Sequence, residues 1–196
     1  MTREKRNVLV LAACQVLFGT GRSLLIATAP LIAYSIASHK GLATLPTSLV
    51  IVGTAVMTIP ASLFMRRVGR KFGFILGSLI GVVSGLISAY AVLQSNFWLF
   101  AFGAFLFGLF AGFAQLYRFA AADVASADYK SKAISLVLAG GVVSGFLGPE
   151  SAKIGQHMVT STPFVGAYLI LTGVTLLAIL VLLFLDIPKL TPQERA

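Results

Sequence analysis

Charge is what this chain has least of. Charged residues make up 11% of its 196 positions, against about 25% in a soluble domain, so it cannot cover a water-facing surface. Acids are the scarcest: 6 Asp and Glu stand against 15 Lys and Arg, a formal net charge of +9. The single cysteine, Cys14, excludes an internal disulfide, has no metal-ligand spacing around it and reads as a small buried hydrophobe. No His-Glu-x-x-His, no Gly-x-Ser-x-Gly and no phosphate-cradling glycine loop with a lysine occurs. No enzyme activity, cofactor or metal is therefore expected. Nucleic acid is not an expected partner either. Most of the positive charge sits in short loops between apolar runs, where it acts as a topology signal and attracts anionic lipid headgroups.

What fills the chain is apolar surface: 58% of its residues are hydrophobic, and the mean hydropathy is +0.94. The apolar residues gather in runs of about 20 or more, long enough to cross a bilayer core of about 30 Å as helices. The pattern predicts an all-α polytopic membrane protein with six transmembrane helices, over residues 8–37, 45–64, 72–93, 97–124, 133–154 and 164–185. These form a single six-helix domain over residues 1–196. Arg3, Lys5 and Arg6 look like the start of a secretory signal. The run behind them is longer than the about 7–15 residues of a cleaved segment, so an uncleaved first helix is expected.

Between spans two and three lies Met65-Arg66-Arg67-Val68-Gly69-Arg70-Lys71. Its four cations cannot lie in hydrocarbon, so the chain surfaces there, and short Lys/Arg-rich loops stay cytoplasmic. With both termini cytoplasmic, Arg3, Lys5, Arg6, Lys130, Lys132, Lys189 and Arg195 join that side, leaving Lys40 and Lys153 on the other. Compact loops and the lack of an organelle-targeting segment point to a bacterial inner membrane.

Small residues are placed for close packing. Gly73, Gly77, Gly81 and Gly85 recur every fourth position of span three, so they share one helix face. Gly108 and Gly112 repeat the spacing in span four, and Gly19-Thr20-Gly21 marks a bend or a close contact in span one.

Polar groups inside spans are the functional candidates, because burial makes them expensive. Arg22 lies about 22 Å along span one by helical rise. It faces either an aqueous cavity or Glu150 of span five. Gln115 and Arg118 are three apart on span four, hence on one face, with Tyr117 between them. Arg118 either lines a cavity, or it snorkels inward or pairs with Asp123. Glu150 and Lys153 are placed to neutralise each other, and His157 is expected in a solvated outer turn.

Six spans, a cationic loop after the second and a Gly-Pro in the fifth together resemble one half of the major facilitator superfamily. That family's loop reads Gly-x-x-x-Asp-Arg-x-Gly-Arg-Arg/Lys. Here Arg67, Gly69, Arg70 and Lys71 match, while Ser62 and Arg66 stand where the glycine and the acid belong. The resemblance implies a conformational gate at this loop, with Asp123 at the inner end of span four. Gly145, Gly148 and Pro149 look like the family's fifth-helix signature, a helix-packing motif, with Ala152 and Lys153 in place of its later glycines. In span four Gly108 matches, but Ala104 stands where the family has an arginine.

A transporter of this kind has two six-helix halves with the substrate site between them, and this chain resembles the N-terminal half. It is then a fragment, or two copies pair as a homodimer. The implied function is secondary transport of a small solute by alternating access, with Arg22, Gln115, Tyr117 and Arg118 lining the cavity. Two arginines there would favour an anionic substrate. The alternative is a non-transporting scaffold or accessory subunit, whose glycine faces, above all that of span three, pack against a partner.

Overall fold

A single glycine separates the second and third helices. In the computed structural model, which describes residues 2–159 and 162–187, α2 (Leu45–Val68) ends and α3 (Arg70–Leu93) begins on either side of Gly69. Its φ of 95° lies where a Cβ would be strained. The cationic segment is thus mostly helix. Arg66 and Arg67 occupy the last turn of α2, where positive charge complements the helix dipole.

The remaining helices are α1 (Arg3–Ile36), α4 (Phe97–Ala114), α5 (Tyr117–Val124), α6 (Lys130–Met158) and α7 (Val165–Leu183), with a short 3-10 turn at Lys40–Leu42. The described residues contain no strand. Six helical stretches are long and apolar enough to cross a membrane, α4 and α5 counting as one over Phe97–Val124. The fold is the expected all-α, six-span one. Helices α1, α2, α3 and α6 overrun the apolar runs at the polar ends, whereas α7 stops just short of its own. His157 accordingly sits in the last turn of α6 rather than in a loop. The expected inner-side charges Lys189 and Arg195 lie outside the described residues.

Span four covers the expected Phe97–Val124, but within it the helix breaks at Gln115 and Leu116. The Leu116 N–H donates to the Phe113 carbonyl at 3.0 Å, one residue short of its α-helical partner. No backbone bond joins Phe119 N–H to the Gln115 carbonyl. Neither proline nor glycine stands at the break, so composition gives no warning of it.

By their contacts the helices neighbour one another in the order α6, α1, α7, α3, α4, α2. The two outermost are the least covered. Only 22% of the apolar window of α2 and 28% of that of α6 is buried, against 50–67% for the other spans. At the centre, the Phe18, Phe107 and Phe110 rings pack with centroids 5.3–6.1 Å apart. Since lipid is as apolar as these side chains, association rests on close van der Waals fit rather than on water exclusion.

Glycine supplies that fit. A Cβ on Gly108 would lie 2.4 Å from the Val50 carbonyl oxygen, and one on Gly53 would lie 2.6 Å from that of Phe105, so α2 and α4 touch backbone to backbone. The α3 glycines meet Met65 of α2, Phe113 and Phe110 of α4, and Thr175 and Thr172 of α7. That face is fully occupied within the bundle. Gly19 of α1 receives Ser144, so the Gly-Thr-Gly stretch is a point of close contact within an unbroken helix.

Candidate functional site

The break in span four sets the stage for the site, because it lies beside Gln115, Tyr117 and Arg118. Their side chains go different ways. Tyr117 is fully buried, its ring 4.7 Å from that of Phe74, and it faces Ser78 of α3 and Cys14 of α1. It packs inside the bundle and does not share the open side with its neighbours. Gln115 is half-buried and Arg118 exposed. Arg118 lies over the Phe119 ring at 4.9 Å.

Among the described residues no carboxylate lies within 4.0 Å of Arg118 or of Arg22, and no side-chain hydrogen bond involves Gln115. The acids that could have paired with these arginines are engaged elsewhere. Glu150 accepts from Lys153 at 2.6 Å, and Asp123 pairs with Arg70. Arg22 is exposed midway along α1, level with Gly148 of α6, whose added Cβ would meet Ser23 at 2.3 Å. Both arginines are therefore uncompensated, and no hydrogen bond links Arg22 to Gln115 or Arg118.

The helix-packing motif divides. Gly148 touches α1 closely, Pro149 is exposed within α6, and Gly145 has no atom within 4 Å of an added Cβ. The residues that face α1 or α7 are Gly140, Ser144, Gly148 and Gly155. The helix period puts Gly145 on the open side.

At the opposite end of the hydrophobicity scale lies the charged end of the bundle. Arg70 at the start of α3 pairs with Asp123 at the end of α5, and Lys71 donates to the Leu183 carbonyl of α7 at 2.7 Å. Gly69 supplies the turn between them and Arg67, which is exposed and unpaired among the described residues.

Beside this group is a clamp that the sequence did not reveal. Arg3 and Arg6 donate to the two carboxylate oxygens of Asp186 at 2.6 and 3.1 Å. The buried Asn7 carboxamide donates to the Asp186 carbonyl at 2.7 Å and accepts from its N–H at 3.1 Å. Glu4 accepts from both the N–H and the hydroxyl of Ser126. The Arg3 hydrogen bond, aided by the charges of Arg3 and Arg6, holds the Asp186 carboxyl below the usual carboxylate range. The one available signal was a lone acid just past the last apolar run, opposite basic residues before the first. Nothing in the sequence says that those two ends are neighbours. Between the clamp and the α2–α3 turn opens a cleft of about 410 Å³, reaching from Arg3, Arg66 and Asp186 to Leu116 at the break.

Comparison with known proteins places this geometry. A family model described as Major Facilitator Superfamily matches residues 11–196. The riboflavin transporter of Brucella anthropi is 35% identical over 195 residues, covering 100% of this chain and 49% of that protein. An uncharacterized MFS-type transporter of Bacillus subtilis is 26% identical over 187 residues, covering 90% and 42%. Among solved structures, the E. coli fucose:proton symporter superposes with a TM-score of 0.66 at 18% identity, covering 92% of this chain and 49% of its own, which shows likeness of fold. The chain spans about half the length of the curated relatives it matches.

Proposed function

The chain belongs to the major facilitator superfamily, and from that premise we propose that it forms the first six-helix half of a secondary transporter that moves a small solute by alternating access. The observation that carries the reading is the pair Arg22 and Arg118. An arginine in mid-span costs about 2.5–3.5 kcal/mol even on the most permissive scale. Both side chains are exposed, and both lack a carboxylate, although Asp123 stands on the same helix as Arg118 and Glu150 on α6, which packs against α1. An aqueous cavity shared with the second half satisfies them, and Gln115, half-buried at the break, adds an unspent carboxamide. Tyr117 supports this surface from within the bundle.

The second half would cover the least buried helices, α2 and α6. It is the continuation of a longer polypeptide, as the half-length coverage of the relatives suggests, or a second copy of this chain. Arg67, Gly69, Arg70, Lys71 and Asp123 would act as the gate at the charged end, with the Arg70–Asp123 and Lys71–Leu183 contacts joining α3 to α5 and α7 so that they move together. The charged end would face the cytoplasm of a bacterial cell.

For the substrate, the relative named as a riboflavin transporter makes a planar heteroaromatic solute the first to test. The two free guanidiniums favour either its carbonyl oxygens or an anionic group. The test is uptake of labelled riboflavin into proteoliposomes, with a carboxylate-bearing analogue as competitor. Arg22→Ala and Arg118→Ala should each reduce uptake at least tenfold, consistent with losing one charge-assisted hydrogen bond of about 1.5–3 kcal/mol. Normal uptake by both variants overturns the cavity assignment. The scaffold alternative drew on the glycine face of α3 and on the missing second half, and the first of these grounds is weakened because that face is filled by α2, α4 and α7.

A further inference from the structure

The cleft at the charged end holds a pair of donors that nothing among the described residues uses. Three arginines and three acids line it: Arg3, Arg66, Arg70, Glu4, Asp123 and Asp186. Arg3 is spent on Asp186, Arg70 on Asp123, and Glu4 on Ser126. Asn7 is spent on the backbone of Asp186. Two groups remain. The Arg66 guanidinium and the Ser62 hydroxyl both line the cleft, both are exposed, and neither has a side-chain partner among the described residues. They are four apart on α2, hence on one helix face. They are also the two positions at which this segment departs from the family's loop pattern.

An unspent guanidinium fork beside an unspent hydroxyl is a donor set for an acceptor-rich anion, and phosphate oxygens match its geometry. The surroundings favour an anion as well, since Arg67 and Lys71 flank the same turn. Depth points to the same chemistry. Arg66 sits in the last turn of α2, a helix about 36 Å long by rise, longer than a hydrocarbon core of about 30 Å. It therefore lies at the level of headgroup phosphates.

We propose that this cleft is a phosphate-binding site in which Arg66 and Ser62 hold the phosphoryl oxygens of an anionic ligand. The ligand is an anionic phospholipid headgroup or a free phosphate compound, and the two are distinguishable. The experiment is a thermal-shift titration of the whole chain in detergent. The probes are dioctanoyl phosphatidylglycerol, inorganic phosphate and, as the zwitterionic control, dioctanoyl phosphatidylcholine.

A saturable rise in Tm with phosphatidylglycerol alone assigns a lipid headgroup, and one with inorganic phosphate as well assigns a soluble ligand. Arg66→Gln should weaken the half-saturation point about tenfold, the equivalent of one charge-assisted contact, and Ser62→Ala by less. Lys130→Ala removes a cation of the same end outside the cleft and should leave titration unchanged. The Tm of each variant without ligand reports whether it is folded. No saturable rise with either phosphate probe, or an equal loss from Lys130→Ala, overturns the site. Because no flux is measured, this outcome is independent of the transport reading.

Discussion

Two glycines in this bundle make contacts of equal tightness against neighbours of unequal stiffness, which gives a sharp test of how the helices are held. A Cβ added at Gly108 would lie 2.4 Å from the carbonyl oxygen of Val50, with the Val50 carbonyl carbon and Gly53 Cα each at 3.0 Å. A Cβ added at Gly73 would also meet its nearest atom at 2.4 Å, but that atom is Met65 Cγ. Ordinary contact begins near 3.4 Å, so each substitution needs 3.4 − 2.4 = 1.0 Å of relief.

At Gly73 the obstacle is the buried Met65 side chain, which can change rotamer without moving a helix backbone. At Gly108 the obstacle is the backbone of α2, and the whole helix must retreat. That retreat also spoils the Gly53 and Gly112 contacts on the same seam. Overpacking of this kind costs about 1–3 kcal/mol, and Gly108→Ala should sit at the top of that range. Gly73→Ala should cost less than about 1 kcal/mol. Gly145→Ala, with nothing within 4 Å, should be neutral or stabilise by up to about 1 kcal/mol through helix propensity. Thermal denaturation of the purified protein in one detergent measures all three. Equal Tm values for the Gly108 and Gly145 variants would refute the claim that α2 and α4 pack backbone to backbone.

Tyr117→Phe removes a buried hydroxyl that has no hydrogen-bond partner and should leave Tm unchanged or slightly higher, with uptake retained. A large loss of uptake would place that hydroxyl in the transport path. The Asp186 carboxyl is held below its ordinary range by Arg3 and Arg6, so its contribution is present above the unfolded carboxylate pKa and lost as pH falls through the lower folded value. Asp186→Asn should accordingly flatten the acid limb of a Tm-against-pH curve, and an unchanged limb would count against the clamp. A double-mutant cycle on Arg70 and Asp123, whose side chains are 27% and 51% exposed, should give a stability coupling of about 0–1 kcal/mol; several times that would mean the pair is far less solvated than its exposure indicates. If the charged end faces the cytoplasm, a cysteine at Ser126 should be unlabelled by an impermeant thiol reagent in intact cells and labelled after lysis. Native Cys14, being buried, gives little background.

Burial against lipid is decided by composition, so the six apolar runs, the cationic turn at Arg66–Lys71 and the all-helical class could all be read from residue order alone. So could the pairing of Glu150 with Lys153, since residues three apart on a helix are neighbours whatever the rest of the chain does. The glycines of α3 announced a close-packed face but not its occupant, because periodicity describes one helix and contact needs two. For the same reason Gly145 meets no atom of the other helices, as their contacts with α6 lie on its other side. Which ends of the chain meet was settled only in three dimensions. Arg3, Arg6 and Asn7 close on Asp186 about 180 positions away in sequence, and Asp123 goes to Arg70 rather than to nearby Arg118. The break at Gln115–Leu116 was equally unannounced, since no proline or glycine marks it. A residue pattern fixes which surfaces avoid water, but the partner of each polar group depends on where the other helices stand.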